Sequence, residues 1–538
     1  MNITKHRIQM LATPILFLAI FLFWYLAFPH ALGYQEQFQL FMADGNYFVQ
    51  RAAEPGGITA YVAEWLTQYY AAPLLGSLVI AGVMTLMQWM TYKASGHYAL
   101  SFLPVILMWM QQGDESTLLA FPLAVALMAL AVWLTPRRHP YSLSMLWIMP
   151  ALYWTAGPVA LLYAAVVPLR LRDKANWLTR SLLSALFVAL TLAIIFTVAH
   201  YQPYPLSRLL SGLHYYRFVT ALPWLMIGIT MVTAVLTVIP ATPIPPRRRI
   251  IMAVILLALA AVGIPRSYDE RKYDLMEYDW LVRQQRWDDI ISKSEKKQPD
   301  LPMSVAATNL ALAMKGQLAD RCMQFYQHGT EGLLPPFERN FSTIMLTGDA
   351  YYYLGLVNTS QRYAFEAMEA IPNYQKSARS VKRIAETNII NGQYAVARKY
   401  LAMLSKTIYY SHWAESRMEM INHPEKIDQD PVYGYLRRVR LTDDFLFSEA
   451  ELDKMCGQLV MRSKDNMVAV QYLLMFPLLN RDLPLFMQYY SYVQSLMNYA
   501  PACCQEAAAF VMAQQRRLPP QQIEQVKSSA TWKYLLGN

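Results

Sequence analysis

Leu11 to Pro29 is an unbroken apolar run preceded by Lys5, His6 and Arg7, and further apolar stretches recur near 71–92, 97–111, 117–135, 141–169, 179–199, 219–240 and 250–265. At 1.5 Å of rise per helical residue, about 20 residues cross the ~30 Å hydrocarbon core of a bilayer, so the pattern predicts membrane helices. The first run resembles a secretory signal. Its length and the spans that follow predict an uncleaved anchor instead, with the amino terminus cytoplasmic. The stretch 141–169 is too long for one span and too short for two. Arg137 and Arg138 precede it and Arg170, Arg172 and Lys174 follow it, which puts both ends on the positive, cytoplasmic side and calls for a turn at Gly157-Pro158. Irregular backbone exposed to lipid would leave polar groups unsatisfied, so this hairpin is either re-entrant or two abbreviated helices packed in protein. The expected count is nine segments.

That count sorts the charges. Residues 1–265 hold 15 Lys and Arg against 7 Asp and Glu, and the remainder holds 32 against 30. Twelve of the 15 cations fall inside, and only Arg51, Arg208 and Arg217 fall outside. The basic balance is thus the signature of membrane orientation, not of nucleic-acid binding. Everything after about Arg266 lies outside the cytoplasm, which in a cell with an outer membrane is the periplasm, so the protein is expected to be multi-pass in the inner membrane.

Residues 266–538 lack another run of span length and read as helix after helix. "RQQRWDDIISKSEK", "MKGQLADRCMQFY", "TSQRYAFEAMEAIP" and "INGQYAVARKYLAML" each set a turn before an aromatic or Leu, then small or apolar residues at helical spacing. The anchors Trp287, Leu318, Tyr363 and Tyr394 lie 31, 45 and 31 apart. The pattern resembles degenerate tetratricopeptide repeats, most closely in Tyr353 to Pro372 with Leu354-Gly355, Ala364, Ala367 and Pro372. That resemblance implies an α-solenoid over 266–410, with 411–538 a further helical region in which the register is lost. The fold class expected is therefore all-α: a polytopic helical bundle over 1–265, then an extracytoplasmic tetratricopeptide-like tail. Cys322, Cys456, Cys503 and Cys504 all lie in that tail, as buried thiols or with a bridge from Cys322 or Cys456. No spacing among them suggests a metal site.

The acids of the membrane half collect in its outer loops: Glu36, Asp44, Glu54, Glu64, Asp114 and Glu115, with only Asp173 inside. In the long first loop Ile58, Tyr61, Val62, Trp65, Leu66 and Tyr69 form one helical stripe, which predicts a helix near 57–70 lying in the membrane interface. "QGDES" forms the next outer loop. Asp44-Gly45 reads either as a turn or as a site, and Asp114 either caps the following helix or does chemistry.

A long outer loop with an acid and an interfacial helix, a short acidic loop between spans three and four, and an exported carboxy-terminal domain together resemble the GT-C superfamily of membrane glycosyltransferases. The resemblance covers roughly residues 1–220 and implies transfer of sugar from a polyprenyl-phosphate-type carrier to an extracytoplasmic acceptor. By position Asp44, Asp114 and Glu115 would be the carboxylates that deprotonate the acceptor or hold a divalent cation. Arg208 and Arg217 would face the lipid phosphate, unless they anchor at the interface among Tyr201, Tyr204, Tyr215 and Tyr216, with His200 and His214 as auxiliaries. The first loop departs from the family pattern in carrying a lone Asp44 instead of an adjacent acid pair. The alternative is a non-catalytic envelope scaffold whose repeats bind a protein partner. A transporter is disfavoured because no ionisable residue sits in mid-span, and no phosphate loop, dinucleotide fingerprint, G-x-S-x-G or H-E-x-x-H is present. The whole chain also resembles uncharacterised bacterial polytopic proteins with an exported helical-repeat tail.

Overall fold

The computed structural model describes residues 2–135, 144–170, 176–217, 222–241, 245–338, 341–372, 375–443 and 451–537. Arg137, Arg138, Arg172, Asp173 and Lys174, used above to orient the chain, lie outside the described residues. Those described form an all-helical fold, with one isolated bridge between Thr117 and Tyr216. The chain divides into two compact units, Met1–Tyr273 and Asp274–Asn538.

In the first unit all eight apolar stretches contain helix, and the hairpin is two short helices, Ser144–Ala156 and Val159–Leu169. Length separates them. Pro73–Ser95, Trp177–Tyr201 and Arg247–Ser267 are long and apolar enough to cross a membrane, and Leu11–Ala27 with Pro29–Glu36 adds a fourth if that bent pair is one span. Phe102–Gln111, Ala120–Leu134, Val159–Leu169 and Trp224–Val238 are shorter. The nine-segment count therefore exceeds the helices of full span length, because apolar runs include turns: the run from His97 opens with the turn Tyr98–Ser101 before its helix begins. The bend of 85° between Leu11–Ala27 and Pro29–Glu36 has a local cause. Proline disfavours helical backbone in the residue before it, and Phe28 sits at φ −136°, ψ 49°.

Polar side chains tie helix ends together. Arg170 donates through Nη1 to Val132 O (2.5 Å) and through Nη2 to Ala94 O (2.8 Å), so one cation joins the carboxyl ends of Pro73–Ser95, Ala120–Leu134 and Val159–Leu169, where helix dipoles are negative. His97 Nε2 lies 3.2 Å from Ile239 O at the end of Trp224–Val238. The outer surfaces of the long helices stay apolar and bare. Leu178, Leu182 and Leu186 on one and Ile250, Val254 and Leu257 on another are each more than half exposed.

The helix Gly57–Thr67 forms where a stripe was read, and it buries the opposite face: Gly57, Thr59, Ala60, Ala63, Glu64 and Thr67 point inward, while Val62 and Trp65 face out. Small residues let it pack closely, leaving the stripe on the outside.

The second unit repeats one hinge. Gln285, Gly316, Gly355, Gly392, Arg481 and Arg516 adopt left-handed backbone. After each, the next amide bonds the carbonyl five residues back: Arg286 to Leu281, Gln317 to Leu312, Leu356 to Tyr351, Gln393 to Asn388, Asp482 to Pro477 and Arg517 to Met512, at 2.7–3.0 Å. This is the 6→1 bond of a Schellman cap. At the first five hinges a new helix starts two residues later, at Trp287, Leu318, Val357, Tyr394 and Leu483. The third repeat anchor is therefore Val357, not Tyr363, and the first spacings become 31, 39 and 37. Tyr363 is a fully buried mid-helix residue with its ring 5.1 Å from Tyr351.

A buried charge network joins three helices, Glu270–Arg283, Phe341–Leu354 and Ala378–Ile390. Arg379 donates to both oxygens of Asp279 (2.8 and 2.9 Å) and to Asp349 (2.6 Å), and Arg383 bonds Asp349 (2.6 Å) and Glu386 (3.0 Å). The arginines hold the Asp349 carboxyl below its ordinary range against the opposing effect of burial. Cys322, Cys456, Cys503 and Cys504 are all buried free thiols.

Candidate functional site

The turn "QQGDEST" folds on itself before it meets anything else. Gln111 Nε2 donates to Thr117 Oγ1 (2.8 Å), and Ser116 N donates to Asp114 Oδ1 (2.9 Å). Only Asp, Asn, Ser or Thr can satisfy a turn amide in this way. Asp114 Oδ2 is left to face outward from the turn.

Against this turn lies Leu213–Arg217, docked by two backbone hydrogen bonds, Arg217 N to Ser116 O (2.8 Å) and Leu118 N to Tyr215 O (3.1 Å). Four consecutive residues of that segment then reach four different partners. His214 Nε2 lies 3.1 Å from Glu54 Oε2 of the first loop. Tyr215 donates to Ala156 O at the tip of the hairpin, where Gly157 at φ +88° would bring any Cβ to 3.0 Å from the tyrosine hydroxyl. Tyr216 donates to Asp114 Oδ2 at 2.8 Å. Arg217 stacks its guanidinium 3.8 Å over the Phe38 ring.

Arg217 is 6% exposed, and its Nη1 has no hydrogen-bond partner among the described residues. Burial pushes its pKa down to about 10, with Tyr34, Glu115 and Asp114 acting in the opposite direction. It remains a cation at neutral pH. A buried guanidinium with a free donor next to carboxylates is poised for an anion, because an unmet charge-assisted donor is costly. Glu115 lies beyond Asp114, its Oε1 2.5 Å from Lys272 Nζ, and Tyr273 donates to Gly113 O (3.4 Å). Asp114, Glu115 and Arg217 are thus gathered at one place.

With this geometry in hand, comparison with known proteins adds one match. A model of a family of unknown function, DUF6057, covers residues 5–533. The chain belongs to that family. No curated protein and no solved structure matches it.

The other sequence-derived candidates take separate places. Asp44 is the N-cap of Gly45–Ala52, its Oδ1 accepting from Tyr47 N at 2.7 Å. The helix it starts carries Tyr47 and Arg51 to the buried Glu64, with Tyr47 donating at 2.5 Å and Arg51 Nε at 3.0 Å. Arg208 is buried and donates to Leu213 O (3.4 Å), bracing the segment that presents Arg217. His200 is exposed at the end of Trp177–Tyr201 beside Tyr201. Glu54, Glu64, Tyr47 and Arg51 were not singled out as a network in the sequence, although Arg51 and Glu54 sit three apart in a loop with few other charges. Among the described residues no group of three or more His, Cys, Asp or Glu is arranged to hold a metal ion.

Glu54 also makes a pH prediction. Tyr204 donates to its Oε1 at 2.8 Å, and Arg51 Nη1 lies 3.6 Å from its Oε2. Burial works to raise its pKa, but His214, Tyr204 and Arg51 outweigh it and hold the carboxyl below its ordinary range. A depressed folded pKa gives stability that is present above the unfolded value of about 4.3 and is lost as pH falls through the folded value. Glu54→Gln is expected to cost about 1.5–3 kcal/mol at neutral pH and to flatten the acid limb of a thermal-unfolding profile between pH 6 and 3. An unchanged acid limb would show that Glu54 does not drive it.

Proposed function

We propose that the chain is a multi-pass protein of the cytoplasmic membrane that transfers sugar from a polyprenyl-phosphate-type carrier to an acceptor outside the cytoplasm. The observation that carries this reading is the juxtaposition of Asp114, fixed by Tyr216 and Ser116, with the buried Arg217, whose Nη1 has no partner among the described residues. Asp114 accepts the proton of an acceptor hydroxyl. The acceptor oxygen forms its bond to the anomeric carbon as the carbon–oxygen bond to phosphate breaks, and Arg217 faces the departing phosphate. Glu115 and Lys272 neutralise each other beside it.

The orientation gains support from both ends of the first unit. The helix ends expected inside are those that Arg170 and His97 draw together. The loops expected outside, from the first loop through Asp114 and Tyr215 to Lys272, meet one another. Nine segments then leave the second unit outside. A reporter enzyme active only outside the cytoplasm, fused after Arg266, is expected to be active. Purified protein given a radiolabelled polyprenyl-phosphate sugar is expected to move label to a hydroxyl acceptor. An inactive fusion removes the basis of the proposal, and a correctly oriented protein that moves no label on any such carrier leaves a second reading.

That second reading is an envelope scaffold, and the recurring hinge favours it. Identical caps at successive hairpins are what an α-solenoid requires, and solenoids present extended surfaces to protein partners.

A further inference from the structure

The second unit holds two further cations, Lys382 and Arg417, for which no ion pair with a carboxylate is found among the described residues. In the helix Ala378–Ile390, Arg379 and Arg383 are committed to Asp279, Asp349 and Glu386. Lys382, on the same helix, is not. Its Nζ lies 5.0 Å from the Trp413 ring centroid, and no carboxylate among the described residues is within salt-bridge distance. Arg417, one turn along the helix Ser411–Asn422, places its guanidinium 5.9 Å from the same indole and 5.2 Å from the Tyr433 ring. Its Nε is buried without a hydrogen-bond partner among the described residues, while the guanidinium also hydrogen-bonds the Tyr433 hydroxyl. Glu386, the nearest acid, already takes Arg383 and lies 3.4 Å from the Tyr433 hydroxyl.

Two cations sharing one aromatic ring repel each other. The ring supplies about 0.5–2 kcal/mol to each, while like charges raise the cost of keeping both ionised. Burial pushes the Lys382 ammonium below its ordinary range, and Arg383, Arg283 and Arg417 push the same way against Glu386 alone. Lys382, Trp413 and Arg417 are each part-exposed, so the group is open to solvent. One bound oxyanion on the exposed side of the group would meet both charges together.

We propose that Lys382 and Arg417, grouped around Trp413, form an anion-binding site in the carboxy-terminal unit that takes a carboxylate or phosphate group. The site is independent of the transferase reading, since none of its residues belongs to the first unit.

The test uses full-length protein in detergent, freed of phosphate, with inorganic phosphate and free glutamate titrated separately by calorimetry and thermal unfolding. Wild type is expected to bind at least one of the two saturably and to unfold at higher temperature when loaded, and the tighter of the two identifies the group. Lys382→Met and Arg417→Met are each expected to weaken that binding at least tenfold, whereas Lys382→Arg retains it. Without anion, Lys382→Met should unfold at the wild-type temperature or above, because a repelled charge has been removed. A lower unfolding temperature in Lys382→Met would assign the lysine to packing alone and overturn the site. So would equal binding by wild type and both Met variants, or no binding of either probe.

Discussion

Asp114→Asn is expected to lower sugar transfer from a polyprenyl-phosphate donor by about 10²–10⁴-fold, the range for losing a positioned general base, while the protein accumulates in the membrane at its wild-type level. The exchange is nearly isosteric. Ser116 N still finds an oxygen on the amide, and the Tyr216 hydroxyl can turn to accept from the amide NH₂, so the turn keeps both of its contacts in altered form. The structural cost is then about 1 kcal/mol, too small to unfold a chain whose turn is also held by Gln111, Thr117 and two backbone bonds to Leu213–Arg217. A purely capping role gives a distinct result: Asn caps and turns as well as Asp, so transfer would be unchanged. Full complementation of a deletion by Asp114→Asn would end the catalytic assignment and favour the scaffold.

How much of this was legible beforehand depends on what kind of interaction built each part. Helix positions were readable because apolar runs register directly in composition, down to the Gly157 turn. Helix lengths were not, since hydropathy cannot distinguish a turn from a helix within an apolar stretch such as 97–111. In the second unit three hinges fall on glycine and were readable as turns. Three fall on Gln285, Arg481 and Arg516, where left-handed backbone costs roughly 1–2 kcal/mol; the turn before Trp287 was still readable, while those at Arg481 and Arg516 were not. That explains why the repeat register faded after Tyr410 although Arg481 restores the same hinge. The preference for Tyr363 over Val357 has a similar origin: an aromatic attracts attention, but the backbone cap sets the register.

The loops divide in the same way. Asp114, Glu115 and Arg217 could be singled out as charges in the loops of an apolar half. Their meeting depends on Leu213–Arg217 folding back on Ser116–Leu118, a contact over about a hundred residues that no local pattern encodes. The segment sends His214 to Glu54, Tyr215 to Ala156, Tyr216 to Asp114 and Arg217 to Phe38. Read only as "YYR" near a membrane interface, the same residues suggest anchoring. Asp44 shows the converse. It stands out as an acid before glycine, yet its observed contact is a cap, and the acids its helix serves are Glu64 and Glu54.

Arg217→Lys tests the other half of the centre without removing charge. Lysine keeps the cation but not the planar face that lies 3.8 Å over Phe38, nor a donor held where Nη1 now is. If Arg217 meets phosphate oxygens as the bond to the sugar breaks, transfer should fall by about 10²–10³-fold, the size of losing one fixed donor to developing charge. Binding of the carrier should weaken less, because charge alone serves the ground state. Phe38→Leu supplies the control for packing. It removes the platform but leaves the guanidinium, and the double variant should be no worse than Arg217→Lys alone, since lysine has no flat stack left to lose. Additive losses would mean that ring and cation act separately. Wild-type turnover in Arg217→Lys would remove the phosphate-facing role, and with it the reason for burying an arginine whose Nη1 finds no partner among the described residues.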